Sequence, residues 1–175
     1  NTTGNYNVAV GYNALDANTT ADNNTAVGHS ALGANSTGDR LVAVGTGALA
    51  ANSTADANTA VGYRAGNAVT TGESNVAIGF DALLLNTTGA NNVAIGSVAL
   101  DANDTASANT AIGMSAMTDN TTGAENVAIG KDALKSNTTA SNNVAIGVEC
   151  MDGNTTGTQN TAVGKAALGN SSTAS

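Results

Sequence analysis

One stretch near the end of the chain resembles a nucleotide-binding loop. Gly157 and Gly164, followed by Lys165, share the glycine and lysine content of a phosphate-binding loop. However, six residues separate the two glycines instead of four, and Ala166 stands where the loop needs Ser or Thr to reach Mg²⁺. We therefore expect no phosphate to bind here.

A second candidate is a calcium loop. Asp101, Asn103 and Thr105 alternate as oxygen ligands do at the beginning of such a loop. Ala106 and Ile112 stand where it requires Gly and a closing Glu, so a solvated corner explains the triplet better than a dedicated site. Four further acidic residues recur at equivalent positions and could share cations weakly: Asp22, Asp39, Asp56 and Glu73.

The sequence lacks the His and Cys residues that a metal site or a catalytic triad would need. His29 is the one histidine and Cys150 the one cysteine, so neither a metal site nor a catalytic triad can be assembled from them. We expect His29 to be exposed and Cys150 to be a buried, inert thiol. We predict that the chain is not an enzyme and has no catalytic, cofactor-binding or metal-binding residues and no cofactor.

Three aromatic residues, Tyr12, Tyr63 and Phe80, occupy the same position of an internal repeat as His29 and Lys131. They could offer a sparse aromatic patch to a ligand. Drift at an exposed position explains three such residues in ten repeats better.

Composition excludes several classes of protein. The 175 residues (16.8 kDa) carry 5 basic and 13 acidic side chains, a net charge of −8, which excludes the basic surface that nucleic-acid binding requires. The single Cys excludes a disulfide framework. No apolar run approaches the ~20 residues of a membrane span, and we expect no signal peptide. Because Asn1 is not an initiator Met, we expect a processed product or a segment of something longer.

An internal repeat dominates the chain. A Gly that follows Val or Ile recurs every 17 residues without insertion or deletion, giving ten full repeats and five further residues. The range 1–175 therefore reads as one uninterrupted array. We number the seventeen positions of the repeat as columns, with Asn1 in column one, and call each repeat a coil. The ten glycines are Gly11, Gly28, Gly45, Gly62, Gly79, Gly96, Gly113, Gly130, Gly147 and Gly164.

The columns separate into constant and variable ones. Column nine is always Ala, column ten is Val or Ile, column fifteen is mainly Leu, and columns one and seven are mainly Asn. Every charged residue lies in a variable column. This division separates buried from exposed positions. The exceptions in the Asn columns are Leu41, Val69 and Ser171.

A fixed 17-residue period without Pro predicts an all-β fold, a parallel β-solenoid of ten coils. Residues 75–79 indicate a short strand closed by Gly, and we expect a second, shorter strand over 82–83 in each copy. Coils stacked about 4.8 Å apart would form a rod roughly 48 Å long, with the Asn columns as amide ladders. Such ladders would leave most of the Asn-x-Thr triplets without sugar.

The same pattern predicts which side chains are inside. We expect Leu and Val or Ile to form the core, with columns eight and ten on one side of the strand and column nine on the other. A column that is always Ala predicts close packing on that side too, most simply against another chain. The alternative is that it lines a narrow groove within one chain.

The string Asn-Val-Ala-Ile-Gly at 75–79, 92–96, 126–130 and 143–147 resembles the head repeats of trimeric autotransporter adhesins. The repeats are also similar to the Asn-Thr-Ala-Val-Gly arrays of phage-type tail fibres. This resemblance implies a left-handed parallel β-roll, with three chains side by side, located outside the cell or on its surface.

The leading hypothesis for function is a structural one, an extracellular fibre or filament. Both ends of the chain fall within the repeat pattern, so we expect further repeats or end-to-end assembly. The expected partners are copies of the chain itself, with no nucleic acid and no membrane span.

The alternative is an adhesin head or tail-fibre shaft that presents a receptor-binding surface in columns twelve and thirteen. An ice-binding solenoid is a weaker alternative, since Thr2 and Thr3 are adjacent and point to opposite faces.

Overall fold

A computed structural model describes residues 1–169, and residues 170–175, which include the partial eleventh repeat with Ser171, lie outside that range. Each coil contributes one three-residue strand, formed by columns eight to ten. The β-branched residues of these columns favour extended backbone. The Gly of column eleven ends every strand with a φ between 125° and 140°, which residues with a side chain rarely adopt. The strands are β1 Val8–Val10, β2 Thr25–Val27, β3 Val42–Val44, β4 Thr59–Val61, β5 Val76–Ile78, β6 Val93–Ile95, β7 Thr110–Ile112, β8 Val127–Ile129, β9 Val144–Ile146 and β10 Thr161–Val163.

The ten strands form one parallel sheet in chain order. Every residue pairs with the residue seventeen positions later, as Ala60 does with Ala77. Backbone hydrogen bonds between coils continue outside the strands, for example from the N–H of Leu83 to the carbonyl of Ala99 at 3.0 Å. There is no helix in residues 1–169, and hence none that could cross a membrane. The predicted all-β parallel solenoid is therefore confirmed.

The prediction of a second strand is wrong. Residues 82–83 lie in a turn, and Leu83 has a φ of 53°, which is incompatible with extended backbone. Column fifteen is left-handed in all ten coils, although most of them carry Leu or Met there. This conformation costs about 1–2 kcal/mol for a residue with a side chain, and complete burial of Leu83 offsets the cost. The corners therefore do not depend on Asn and Gly alone.

The core also differs from the prediction. Ala60 and Ala77 of column nine are at most 2% exposed, whereas Val61 and Ile78 of column ten are both 37% exposed. The interior is narrow, since a Cβ placed at Gly66 in column fifteen would lie only 3.8 Å from the Cβ of Ala60. A methyl group fits this space and a larger side chain does not, so Ala faces inward and Val or Ile faces out.

Leu in column fifteen is buried as predicted, but the expectation that Val and Ile share the core is wrong. The expectation that column nine packs against another chain is also wrong. From the second coil on, its alanines are buried by their own chain. The alternative, a narrow groove within one chain, is correct.

Candidate assembly surface

The outward side of the sheet is an apolar stripe two columns wide, formed by columns eight and ten. Neither column contains a charged residue in any coil, column ten is Val or Ile throughout, and column eight is Val or Thr. In the inner coils these side chains are half-buried, because each one rests on its copies in the coils above and below. We call this surface the outer stripe. Its column-ten members are Val10, Val27, Val44, Val61, Ile78, Ile95, Ile112, Ile129, Ile146 and Val163.

The outer stripe is a continuous exposed surface. Ten coils at about 4.8 Å give it a length of about 43 Å, and two columns about 6.6 Å apart give an area of roughly 300 Å². Contiguous exposed patches of this size are often interaction sites. Because the strand pairing is in register throughout, the surface is regular and repeats with every coil. The stripe is the strongest candidate for a functional surface in residues 1–169.

Column one forms the amide ladder predicted from the sequence. The Nδ2 of Asn120 donates to the Oδ1 of Asn103 at 3.0 Å and to the carbonyl of Gly123 at 3.0 Å. Asn103, Asn120 and Asn137 have no exposed surface. A glycosyl group could not reach these amides in the folded chain. From Asn18 to Asn154, the acceptor triplets predicted to remain unmodified all have such buried asparagines.

Column seven is also buried but bonds differently. The Oδ1 of Asn92 accepts the backbone N–H of Asn109 at 3.0 Å, and its Nδ2 donates to the carbonyl of Ala106 at 2.9 Å. These side chains therefore bridge to the backbone of the next coil, and amide-to-amide bonds between members of the column are added from coil seven to coil ten. Leu41 interrupts the column, because its side chain offers no acceptor to Asn58.

The three aspartates of column five, Asp22, Asp39 and Asp56, are engaged within the chain. The Oδ1 of Asp39 accepts the backbone N–H of Asp22 at 2.7 Å, and that of Asp56 accepts the N–H of Asp39 at 2.8 Å. The hydroxyl oxygen of Ser107 accepts a hydrogen bond from the N–H of Ala90 in the same way. Asp and Ser in this column thus supply a short side-chain oxygen to the preceding coil, whether or not they are charged, whereas Ala90 and Ala124 supply none. Sequence reasoning missed this role, although the recurrence of Asp, Asn and Ser in one column was its signal.

The triplet that resembles the beginning of a calcium loop does not converge on a common point. Asn103 is buried in the column-one ladder, Thr105 is exposed, and Asp101 is half-buried. The Oδ1 of Asp101 is buried without a hydrogen-bond partner in the described residues, and this desolvation raises the pKa of the carboxyl. No group of three or more His, Cys, Asp or Glu side chains that could hold a metal ion occurs within residues 1–169.

The predicted mismatch to a phosphate loop is visible in the structure. The strand Thr161–Val163 lies between Gly157 and Gly164, and no helix follows within the described residues. The N–H of Gly157 donates to the Oδ1 of Asn154 at 3.1 Å and is not free for a phosphate.

Column twelve holds two separate aromatic pairs. The rings of Tyr12 and His29 stack with their centroids 5.4 Å apart, and those of Tyr63 and Phe80 with theirs 5.5 Å apart. All four side chains are exposed, as predicted for His29. Thr46 stands between the pairs, so the four rings do not form one continuous patch.

Beside the second pair, Arg64 lies with its guanidinium carbon 5.1 Å from the centroid of the Tyr63 ring. It forms two hydrogen bonds with the Asp81 carboxylate at 2.9 and 2.5 Å. This carboxylate raises the pKa of Arg64. The cation is therefore already paired within the chain.

Cys150 is buried, as predicted. Its Sγ lies 3.3 Å from the carbonyl oxygen of Ala162, and burial raises the pKa of the thiol. The thiol form is therefore favoured over the reactive thiolate.

Set against known proteins, the chain matches no protein-family model, no curated protein and no solved structure. The similarity of its repeats to autotransporter heads and tail fibres rests on the residues alone. Of what that similarity implies, the structure bears out the parallel β-solenoid.

Proposed function

We propose that the chain is a structural repeat protein whose copies pack side by side, three together, through the outer stripe to form an extracellular fibre or filament. The observation that supports it is the uncharged surface of columns eight and ten, in which column ten is apolar in every coil. Val61, Ile78 and Ile146 are each 37–38% exposed in a chain that places all of its charges elsewhere. Covering each such side chain would contribute roughly 1 kcal/mol at about 25 cal/mol per Å².

The distribution of charge also favours the outer stripe as the interface between copies. The net charge of −8 opposes close approach of two copies in general, but the outer stripe contributes nothing to that repulsion. The three-chain arrangement comes from the resemblance to trimeric adhesin heads, and the stripe replaces column nine as its interface.

A charged residue in the middle of the stripe tests this proposal. Ile95 points outward at the centre of the sheet, so Ile95→Lys should leave the coil folded but keep the stripe from being covered. Thr88→Lys is the matched control, since it adds the same charge at an exposed position of the same coil. Sedimentation equilibrium should give a multiple of 16.8 kDa for wild type and control and 16.8 kDa for Ile95→Lys. Equal masses for the two lysine variants would contradict the proposal.

A second candidate function is a receptor-binding head or shaft, and the exposed aromatic pairs favour it. Tyr63 and Phe80 are about half exposed and stack beside the Arg64–Asp81 ion pair. If these rings bind a receptor, Tyr63→Ala with Phe80→Ala should abolish attachment of the protein to host-cell surfaces without changing its sedimentation mass. Unchanged attachment would exclude this patch.

A further inference from the structure

Column eight of the outer stripe is not uniform. It carries Thr in coils two, four, seven and ten and Val in the other six coils. The strands place all ten side chains outward, and none of the four threonine hydroxyls has a hydrogen-bond partner within the described residues. The four are Thr25, Thr59, Thr110 and Thr161.

Val and Thr have nearly the same shape and differ in one hydroxyl group. When two copies cover each other's outer stripe, a hydroxyl opposite another hydroxyl can donate to it or accept from it. A hydroxyl opposite Val loses its water and gains no partner, which costs free energy. The energy of the interface therefore depends on which coils face each other.

The spacing of the threonines makes one alignment better than all others. Coils two, four, seven and ten match in all four positions when two parallel copies are in register. A shift of three coils matches two pairs, and every other shift matches one pair or none. Strict alternation would tolerate a two-coil shift, but the consecutive valines Val76 and Val93, and Val127 and Val144, break it.

We propose that the threonines of column eight fix the axial register in which copies of this chain pack side by side. This inference rests on the proposed assembly through the outer stripe. It also accounts for the irregular alternation of Val and Thr in this column.

Distances between single spin labels on different copies test the register. The label is placed at Thr88→Cys, outside the stripe, in a background with Cys150→Ala, the residue usual in column fourteen. The test variant carries Thr→Val at 25, 59, 110 and 161. The control carries Thr→Val at 20, 54, 105 and 156, exposed positions of column three in the same four coils.

Double electron–electron resonance should give one narrow distance distribution for the parent and the control. The test variant should remain oligomeric but show a broader distribution with added longer distances, since each one-coil slip displaces the labels by about 4.8 Å. An oligomeric test variant with the same single narrow distribution would overturn the register. A monomeric parent would overturn the assembly itself, and the register with it, so the two failures are distinguishable by mass.

Discussion

The glycines of column eleven are the residues that tolerate substitution least. A Cβ built at Gly79 would contact the carbonyl oxygen of Gly96 in the next coil and lie 2.7 Å from its carbonyl carbon. In addition, Gly79 has a φ of 139°, where a side chain is strained. The repeat keeps Gly here because neighbouring backbones approach too closely for any side chain.

We expect Gly79→Ala to destabilise the fold by about 3 kcal/mol or more, from backbone strain and the contact with the next coil. Gly33→Ala is the control, because a Cβ there would meet its nearest atom at 3.4 Å, an ordinary contact. Urea unfolding followed by circular dichroism should separate the two variants clearly. Similar midpoints for both would show that the coils can move apart to accept a methyl group.

The Oδ1 of Asp101 lacks a hydrogen bond, and Asn at the same position of the repeat can form one. Asn67, in the same column sixteen, donates through Nδ2 to the carbonyl of Gly47 in the preceding coil at 2.8 Å. The equivalent acceptor for residue 101 is the carbonyl of Asp81. We expect Asp101→Asn to form this bond and to raise the free energy of unfolding at pH 7 by about 1 kcal/mol.

The gain should depend on pH. Burial raises the pKa of Asp101 above its ordinary 3.8, so the ionised form destabilises the folded chain fully above the raised pKa. That destabilisation disappears as the pH falls through the raised pKa toward 3.8. The stability difference between Asp101→Asn and wild type should therefore shrink between neutral pH and about pH 3.5. A difference that stays constant or grows over this range would contradict the assignment.

At the level of the coil, the sequence predicted the period, the strand and the in-register stacking, because a 17-residue spacing without insertions permits little else. It did not predict which face of each strand is buried. An alternation such as Val76-Ala77-Ile78 is compatible with either face inside, and hydrophobicity favoured the larger residues. The interior is too narrow for Val or Ile, so the Ala face is the buried one. The left-handed Leu83 was also unpredictable, since Leu gives no sign of that conformation.

A compensated departure from the repeat lies where coil four meets coil five. Gly66 replaces the core Leu of column fifteen, and three residues later Val69 replaces the Asn of column one and is fully buried. A Cβ at Gly66 would lie 3.6 Å from a methyl carbon of Val69. Val69 thus fills part of the space that the missing Leu leaves.

A double-mutant cycle tests this compensation. Gly66→Leu alone should be crowded by Val69, and Val69→Asn alone should leave a space beside Gly66. Together the two changes restore the repeat. The free energy of unfolding of the double variant should therefore be about 1 kcal/mol higher than the sum of the two single changes would give. Chemical denaturation of the four proteins measures this coupling. Strictly additive effects would show that the two departures are independent.

At the scale of the whole molecule, the inside of each coil is filled by Ala, Leu and Asn from one chain, and the largest apolar surface left over is the outer stripe. The buried amides bond to copies of themselves and to backbone, so the interior needs no second chain. The surface that the proposed assembly would cover is that of columns eight and ten. We therefore expect copies side by side, with their axes parallel.

Small-angle X-ray scattering of the unmodified chain tests this most directly, because it gives mass and length together. For three copies side by side we expect a particle of about three times 16.8 kDa whose longest dimension stays near that of one chain, roughly 50 Å for ten coils. A mass of 16.8 kDa at all concentrations, or a larger mass accompanied by a proportional increase in length, would contradict assembly through the outer stripe.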